Sequence, residues 1–359
     1  MNIVLHGATN YGSTNYGDFI YAKEVYEYIR DRLKEQDNVF FYNSSPFFNK
    51  YLELNDKKGY REKFDTLIYI PGGYFIQNSN KIKSIIFRIK RYFPVWFKAV
   101  FAKKEYILLG LGVGPINSFI LENLISNVIK GAYGVSVRDR FSYDTVRRIS
   151  NVSAMEFGDM ILSFDMNNLR KKSYEIDRII EESTGKKIVL IHYNHDEKIL
   201  KLFSDMINLL DEEYYFIVTS DCFVENENIL FERFKKSVKH IVIHYQYDNP
   251  YEFTELLANC DMILTCKLHA GVVASMFNKS VFCAAIHYEK TVRFYEEINR
   301  IDCVVDSTDI SPLQLKEKFY HSLDNPIFIS ENTIAKANGH KQFLENFLRE
   351  INHEQKIDE

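Results

Sequence analysis

Two titratable side chains lie where a predicted strand gives way to a predicted helix. Residues 260–276 read CDMILTCKLHAGVVASM, in which the strand ends near Thr265 and small and apolar residues after Lys267 predict a helix. Lys267 and His269 then lie at the helix amino terminus, where free backbone N–H groups and the helix dipole favour an anion. Because a cation there is unfavourable for the helix itself, the pattern indicates an anionic ligand. A buried structural histidine is the alternative.

Another positive side chain follows a predicted strand in the first half of the chain. The strand 134–137 runs directly into Arg138. Its guanidinium offers five donors in a planar fork, so Arg138 is a candidate to bind a carboxylate or phosphate at the mouth of a cleft. Local pairing is the alternative for Arg138 and Arg140, because the acids Asp139 and Asp144 are close in sequence.

The turn after the predicted strand 280–284 carries two more titratable groups, His287 and Lys290. In parallel sheets the functional loops leave the carboxyl ends of the strands, so both groups are expected to face the same cleft as Lys267. An acid at a helix amino terminus, Glu289, is the alternative account of this turn.

Two glycine-rich segments complete the candidate features. Residues 7–18 read GATNYGSTNYGD and lead into a predicted helix. They lack both the lysine of a P-loop and the spacing of G-x-G-x-x-G, which disfavours nucleotide hydrolysis and dinucleotide binding. A turn with Asp18 as helix cap and a ligand-facing loop remain the two interpretations. Residues 110–115, GLGVGP, predict a second glycine loop after a buried strand.

The elements that must position these residues follow from an alternation of short apolar runs with longer helical patterns. This alternation predicts an α/β fold of two Rossmann-like, doubly wound domains facing a cleft where ligands bind. We place the first domain at 1–166, the second at 187–310 and a helical tail at 311–359. The predicted strands are 2–5, 66–70, 106–109, 134–137, 155–157, 187–191, 215–219, 240–243, 262–264 and 280–284.

Composition excludes several classes of protein. The 359 residues are 46% hydrophobic and 26% charged, which is ordinary globular usage, and the net charge of −4 argues against a nucleic-acid binder. The amino terminus lacks the basic leader of a signal peptide, and no run of 18 apolar residues is present. The five cysteines include no C-x-x-C pair, so we expect no metal site, no disulfide framework and a cytoplasmic protein.

Seven short motifs between residues 1 and 297 fall in an order that resembles the polysaccharide pyruvyl transferase family. Seven motifs in one order make coincidence improbable. The motifs are Asn15-Tyr16-Gly17-Asp18, Pro71-Gly72-Gly73, Gly112-Val113-Gly114-Pro115, Ser136-Val137-Arg138-Asp139, Gly158-Asp159, Lys267-Leu268-His269-Ala270 and Tyr288-Glu289-Lys290.

The resemblance implies a GT-B-like fold and transfer of a pyruvyl group from phosphoenolpyruvate to two hydroxyls of a sugar in cell-surface polysaccharide synthesis. Phosphoenolpyruvate is the donor substrate, so no cofactor is implied. The acceptor is a nucleotide-linked or lipid-linked sugar. The resemblance makes His269 and Arg138 the catalytic residues, and it makes the following residues substrate-binding: Lys267, Lys290, Leu268, Asn15, Asp18, Gly72 and Gly73.

The implied chemistry needs cations around a heavily anionic donor and one group that moves protons. Arg138, Lys267 and Lys290 are expected to hold the carboxylate and phosphate. His269 is the candidate acid or base, and the sequence leaves open which of the two it is. Lys267 departs from the family, which usually has arginine there. A lysine keeps the charge but loses the bidentate fork.

Residues 81–104 contain eight basic residues and no acid, interleaved with apolar residues. Pro94 should divide this stretch into two helices, the first packing Ile82, Ile85, Ile86 and Ile89 on the core. One interpretation is an ordinary crossover helix with a solvated basic face. The other is peripheral contact with the inner face of the cytoplasmic membrane, as an enzyme acting on lipid-linked sugars requires.

Two other functions remain open. A glycosyltransferase of the same architecture, using a nucleotide sugar, needs an acid to accept the ribose hydroxyls, for which Glu255 and Glu289 are the candidates. A catalytically degenerate binding homologue is the other alternative, with Lys267 marking the lost activity.

Overall fold

The computed structural model describes residues 1–9, 13–54, 63–77, 81–193, 196–211, 214–222 and 227–355. The predicted glycine-rich turn is therefore described only in part, because residues 10–12 lie outside these ranges. Contacts between residues divide the chain into two compact units. The first comprises Met1–Thr14, Asp18–Phe164 and Ile334–Glu359, and the second comprises Asn15–Gly17 and Asp165–Thr333.

Strands and helices alternate along the chain. The strands are β1 (Asn2–His6), β2 (Asn38–Phe41), β3 (Thr66–Tyr69), β4 (Gly72–Phe75), β5 (Glu105–Val113), β6 (Gly134–Val137), β7 (Met155–Glu156), β8 (Ile188–His192), β9 (Tyr215–Thr219), β10 (Val242–His244), β11 (Met262–Thr265), β12 (Ser280–Ala285) and β13 (Val304–Asp306). The first seven helices are α1 (Tyr16–Arg30), α2 (Pro46–Tyr51), α3 (Ile82–Tyr92), α4 (Pro94–Phe101), α5 (Phe119–Lys130), α6 (Arg140–Ser150) and α7 (Tyr174–Glu182). The remaining helices are α8 (Glu197–Ile207), α9 (Glu227–Ser237), α10 (Pro250–Asn259), α11 (Leu268–Met276), α12 (Tyr288–Glu297), α13 (Pro312–Asp324), α14 (Glu331–Ala337) and α15 (Gly339–Gln355).

Each unit is built on a parallel sheet, which confirms the predicted α/β class. The first sheet has the order β2-β1-β3-β5-β6-β7, with β4 also paired to β5, and the second has the order β10-β9-β8-β11-β12-β13. The described pairings are parallel throughout. Strands such as β8, β9 and β11 are buried along their whole length, because helices pack on both faces of such sheets.

The prediction of a glycine loop at 110–115 is wrong over its first four residues. β5 continues through this segment to Val113, and Leu111 pairs with Val137 of the neighbouring strand. Gly110 has a φ of +58°, a backbone conformation that favours glycine, at a break in the register with β6. Gly72 and Gly73 also lie in a strand, β4.

The helical tail predicted at 311–359 is divided between the two units. α13 contributes Leu315 and Phe319 to the core of the second unit. α15 belongs to the first unit, where a Cβ on Gly134 of β6 would lie 2.7 Å from the ring of Phe343. The apolar faces of α13 and α15 therefore pack on different sheets. Helical periodicity predicts that each helix has an apolar face, but not which sheet that face contacts.

The basic segment 81–104 forms α3 and α4, and the break falls at Pro94 as predicted. Ile89 packs against the core of the first unit, and Ile85 is half-buried. The expected burial of Ile82 and Ile86 is wrong, because these side chains are 73% and 45% exposed. The packed face passes through residues 85, 89 and 92, whereas Ile86 is rotated by about 100° from Ile85 and Ile82 is the first residue of the helix. Among the described residues, no helix is long and apolar enough to cross a membrane.

A chain of hydrogen bonds joins α15 to the first sheet. Ser136 Oγ accepts a bond from the Gly110 N–H at 2.9 Å and lies 3.0 Å from His340 Nδ1. His340 Nε2 lies 2.8 Å from the carbonyl oxygen of Gly158, which can only accept. Nε2 therefore carries the proton, and Nδ1 accepts from the serine hydroxyl. Burial lowers the pKa of His340 from 6.5 to about 4.

We expect this histidine to make the protein less stable in mild acid. An unfolded chain takes up the proton near pH 6.5 and the native imidazole resists it, so stability is lost as the pH falls from about 6.5 towards 4. Between pH 7 and pH 5 this amounts to roughly 2 kcal/mol. His340→Gln should reduce the difference between urea unfolding free energies at the two pH values by about that amount.

The control is His321→Gln at an exposed surface position, where the ion pair with Asp302 at 3.3 Å is worth about 1 kcal/mol or less. Another buried histidine, His6, has its pKa lowered to about 3 by burial and by Arg91, and it contributes equally in all three proteins. An unchanged pH dependence in His340→Gln would show that the native state protonates this ring freely.

Candidate functional site

The turn after β11 is fixed by hydrogen bonds at its start. Lys267 is the N-cap residue of α11, with extended backbone and no side-chain capping bond. Thr265 Oγ1 lies 3.1 Å from both the backbone nitrogen and the backbone oxygen of Lys267. The same hydroxyl lies 2.7 Å from Nδ1 of His192, the last residue of β8. Two neighbouring strands therefore position the lysine and a buried imidazole together.

Asp221, in the turn after β9, is the acidic partner of this group. The Lys267 ammonium donates a hydrogen bond to its carboxylate. The Asp221 carboxylate also lies 3.6 Å from His192 Nε2 and 3.5 Å from the amide nitrogen of Asn15. Its side chain is 2% exposed, whereas that of Lys267 is 20% exposed. An almost completely buried carboxylate thus holds a cation that still has access to solvent.

The two charges stabilise each other. Burial opposes ionisation of Asp221, but Lys267 and His192 hold the pKa of that carboxyl well below its usual range. Burial also opposes the charge on Lys267, and Asp221 outweighs it and raises the pKa of the ammonium. Lys267 is therefore a fixed cation at any physiological pH. Burial raises the pKa of the Cys222 thiol, although Lys267 Nζ lies 3.9 Å from its sulfur.

The turn after β12 lies beside this one. β11 and β12 are neighbouring parallel strands, and the Ile286 N–H donates to the Cys266 carbonyl at 3.2 Å. His287 is the N-cap residue of α12, and Lys290 lies in the first turn. Burial lowers the pKa of His287, and Lys290 and then Lys267 lower it further. Two ammonium groups thus act on one imidazole.

His269 lies in the first turn of α11 and is 8% exposed. Its ring is in close contact with Gly17, where an added Cβ would lie 1.8 Å from Nδ1. Only a glycine leaves room for the imidazole here. Leu268 beside it is 5% exposed, and its side chain packs in the interior.

The segment Asn15–Gly17 explains why the motif Asn-Tyr-Gly occurs near the start of the chain. The Tyr16 N–H donates to the Asp221 carbonyl at 3.1 Å, and the tyrosine hydroxyl lies 2.6 Å from Thr254 Oγ1. Its ring packs edge-on against Phe253 at 4.7 Å between centroids. Asn15 and Tyr16 therefore contact Asp221, and Gly17 contacts His269.

The other predicted site residues belong to the first unit. Arg138 is 4% exposed, and its place at the mouth of a cleft stays a prediction. Its Nε lies 3.4 Å from the Asp139 carboxylate, and Arg140 pairs with Asp144 at 3.2 Å, which is the local alternative for both arginines. A Cβ on Gly112 would lie 2.7 Å from Arg138 Nη2, so this glycine is required by the guanidinium.

The charge of Arg138 is maintained within the first unit. Burial opposes it, but Tyr21, Asp139 and Asp159 outweigh burial and raise the pKa of the guanidinium. Asp18 lies in the first turn of α1, as the third residue of the helix and not as its cap. Gly72 is buried and Gly73 is half-buried. Catalytic or binding roles for these residues stay predictions.

Glu255 and Glu289 are the candidate acids for binding the ribose of a nucleotide sugar. Glu255 is paired with an arginine, and Glu289 is exposed at the start of a helix. Glu255 accepts two hydrogen bonds from Arg170, at 2.7 and 3.1 Å, which lower the pKa of its carboxyl. Glu289 lies in the first turn of α12, where an acid favours the helix dipole.

Sequence reasoning missed Asp221 and His192. A signal for both exists in the sequence, because each lies within two residues of the carboxyl end of a predicted strand. What the sequence does not contain is the order β9-β8-β11, which brings the three strand ends together.

The two parallel-sheet units define a GT-B-like α/β protein, and solved structures share this fold. The structure of HepE from Anabaena with UDP and glucose has a TM-score of 0.61 and 13% identity, covering 97% of this chain and 100% of that one. UDP-GlcNAc 2-epimerase from Neisseria meningitidis, bound to UDP-GlcNAc, has a TM-score of 0.65 and 12% identity, with the same coverage. MnaA from S. aureus with UDP has a TM-score of 0.65 and 12% identity, covering 98% and 97%.

A family model described as polysaccharide pyruvyl transferase matches residues 15–288. The chain belongs to the polysaccharide pyruvyl transferase family, as the order of its motifs predicts. A comparison with curated proteins finds no significant match. The family is one of transferases, and its name indicates a sugar or polysaccharide acceptor.

We expect removal of the Asp221 charge to destabilise the second unit. Asp221→Asn leaves Lys267 as a mostly buried cation without its partner, which should cost about 3 kcal/mol in the urea unfolding free energy. Because the two groups interact directly, Asp221→Asn combined with Lys267→Met should cost less than the sum of the single variants.

The control is the more exposed pair of Arg170 and Glu255, in which the arginine side chain is 35% exposed. Glu255→Gln should cost about 1 kcal/mol or less. Wild-type stability of Asp221→Asn, or strict additivity in the double variant, would contradict the ion pair as described.

Proposed function

We propose that the protein transfers a pyruvyl group from phosphoenolpyruvate to two hydroxyls of one sugar, forming a cyclic ketal. One observation carries the proposal. The starts of α11 and α12, which follow neighbouring strands, bring Lys267, Lys290 and His287 together, and His269 lies in the first turn of the helix that Lys267 begins as N-cap. Family membership supports the same chemistry.

The donor suits this group of residues electrostatically. Phosphoenolpyruvate carries a carboxylate and a phosphate, and cations with backbone N–H groups at a helix start bind such anions. Lys267 is held in place by Asp221, so in the proposal it acts as an oriented point charge and not as a mobile side chain. Lys290 supplies a second charge, while Asn15 orients Asp221.

The proposed reaction balances without a further reactant. A proton is added to the methylene carbon of the enol phosphate, and a sugar hydroxyl attacks the resulting positive centre at the adjacent carbon. The bond from that carbon to the phosphate oxygen breaks, and the second hydroxyl closes the ketal. The sugar loses two hydroxyl protons in total. One equals the proton gained by the new methyl group, and the other is carried by the released phosphate.

His269 is the proposed acid or base, because an imidazole transfers protons readily near neutral pH. Arg138 keeps its proposed catalytic role from the family resemblance, and so do Asp18, Gly72 and Gly73 as substrate-binding residues. No cofactor is needed. The proposed acceptor is a nucleotide-linked or lipid-linked sugar in cell-surface polysaccharide synthesis, and the proposed location is the cytoplasm, at the inner face of its membrane.

Phosphate release from phosphoenolpyruvate, measured across a panel of nucleotide-linked and lipid-linked sugars, tests this function. His269→Ala should lower the rate about 100- to 10,000-fold, the usual worth of an acid or base. In D₂O the ketal methyl group should carry one deuteron, since the methylene carbon is protonated during the reaction.

His321→Ala serves as the matched control, because His321 is an exposed histidine of the same unit. Its rate should equal that of the wild type. Release of a nucleoside diphosphate from a sugar nucleotide would instead favour a glycosyltransferase. An unchanged rate in His269→Ala would remove this residue from the mechanism, and ligand binding without turnover of any acceptor would favour the binding homologue.

A further inference from the structure

α3 and α4 expose large apolar side chains on the surface of the first unit. Phe101 is 84% exposed, Ile82 73%, and Phe87 52%. Lysines are exposed among them. We call this surface the basic apolar face, and its members are Ile82, Ile86, Phe87, Phe97, Val100, Phe101, Lys81, Lys83, Lys90, Lys98 and Lys103.

The fold does not need these apolar side chains. The two helices are attached through a different set of residues, including Tyr92, Phe93 and Trp96, which belong to the core of the first unit. The Trp96 indole N–H donates to the Tyr106 hydroxyl at 2.9 Å, and the Arg88 guanidinium donates to the Tyr74 carbonyl at 3.0 Å. The exposed residues project from the opposite side, so their apolar character points to a partner.

The charge of this segment is one-sided. Residues 81–104 carry eight basic side chains and no acid, although the whole chain has a net charge of −4. The complementary partner is therefore anionic. It must also accept phenylalanine and isoleucine side chains, which a nucleic-acid backbone does not.

A groove borders the face along α4. Its volume is about 640 Å³, and its lining combines aromatic rings with lysines. The lining residues are Lys63, Phe64, Asp65, Phe97, Lys98, Phe101, Ala102 and Lys104. Three lysines outnumber the one acid, Asp65, which pairs with Lys104 at 3.5 Å, so the lining suits an amphiphile with a negative headgroup.

We propose that the basic apolar face docks on a bilayer of anionic phospholipid, with the aromatic and aliphatic side chains in the interface and the lysines at the phosphates. Amphipathic helices that lie on membranes have this combination of apolar and lysine-rich faces. The proposal concerns where the protein works and does not depend on pyruvyl transfer.

Vesicle co-sedimentation tests the proposal. The wild-type protein should pellet with vesicles containing phosphatidylglycerol and not with phosphatidylcholine alone. Lys83→Glu combined with Lys90→Glu should weaken binding at least tenfold, since each lysine near such a surface is worth about fivefold. Phe97→Ser combined with Phe101→Ser should weaken it by a similar factor, through lost apolar contact.

Matched controls exist on the same protein. Phe119 and Ile120 of α5 are 80% and 63% exposed, so changing both to serine removes apolar surface elsewhere on the first unit. Lys235→Glu with Lys236→Glu reverses two exposed charges on α9. Both control variants should bind vesicles like the wild type. Thermal unfolding should be unchanged in all four variants, because every altered side chain is exposed.

The single tryptophan gives a second readout. Trp96 lies in α4, with its ring 4.7 Å from that of Phe97, so quenching of its fluorescence by brominated phospholipid reports contact at this helix. Quenching on binding supports the proposal, and binding without quenching would place the membrane contact on another surface.

Several results would overturn the proposal. They are vesicle binding that does not depend on anionic lipid, equal losses in the control variants, or duplex DNA binding that the lysine variant abolishes while vesicle binding is unaffected. A dimer of the wild-type protein in light scattering would also overturn it, if the variant with Phe97→Ser and Phe101→Ser is a monomer. The face would then be an interface between two copies of the chain.

Discussion

The buried ion pair between Asp221 and Lys267 is the interaction on which the candidate site depends. A cation at the first position of a helix is unfavourable, and burial adds to the cost. The carboxylate of Asp221 compensates both, and it is itself held by the end of β9 and by contacts with Asn15 and Tyr16. The positive charge of Lys267 is therefore positioned by residues far apart in the sequence.

The pairing with Asp221 restricts the side chain of Lys267. Arginine offers five donors to a carboxylate or phosphate, whereas lysine offers a compact charge on a flexible stem. Here the stem is fixed, because Asp221 accepts one hydrogen bond and Cys222 lies 3.9 Å away. The fixed position recovers part of the order that a planar fork provides.

The fold could be predicted from the alternation of apolar runs and helical patterns, because parallel strands buried on both faces leave a clear apolar signal. The continuation of β5 through its glycines could not be predicted, because the sequence does not distinguish a glycine inside a strand from a glycine in a loop.

Lys267, His269 and Lys290 could be named as candidate site residues, because each follows a predicted strand. Asp221 could not be assigned as their partner, because the pairing depends on the order of β9, β8 and β11. The local pairing of Arg138 with Asp139 could be proposed from their adjacency, whereas the contributions of Tyr21 and Asp159 to its charge could not, because these residues are distant in the chain.

We propose that the turns after β11 and β12 form one anion-binding site. Calorimetric titration of phosphoenolpyruvate into the wild type, Lys290→Met and Lys316→Met tests it most directly, with Lys316 as a lysine of the same unit paired to Asp211 at 3.0 Å. The account predicts binding that weakens at least tenfold in Lys290→Met, as expected for a charge-assisted contact of about 1.5–3 kcal/mol, and stays unchanged in Lys316→Met. Equal affinity in all three proteins, or equal losses in both variants, would contradict it.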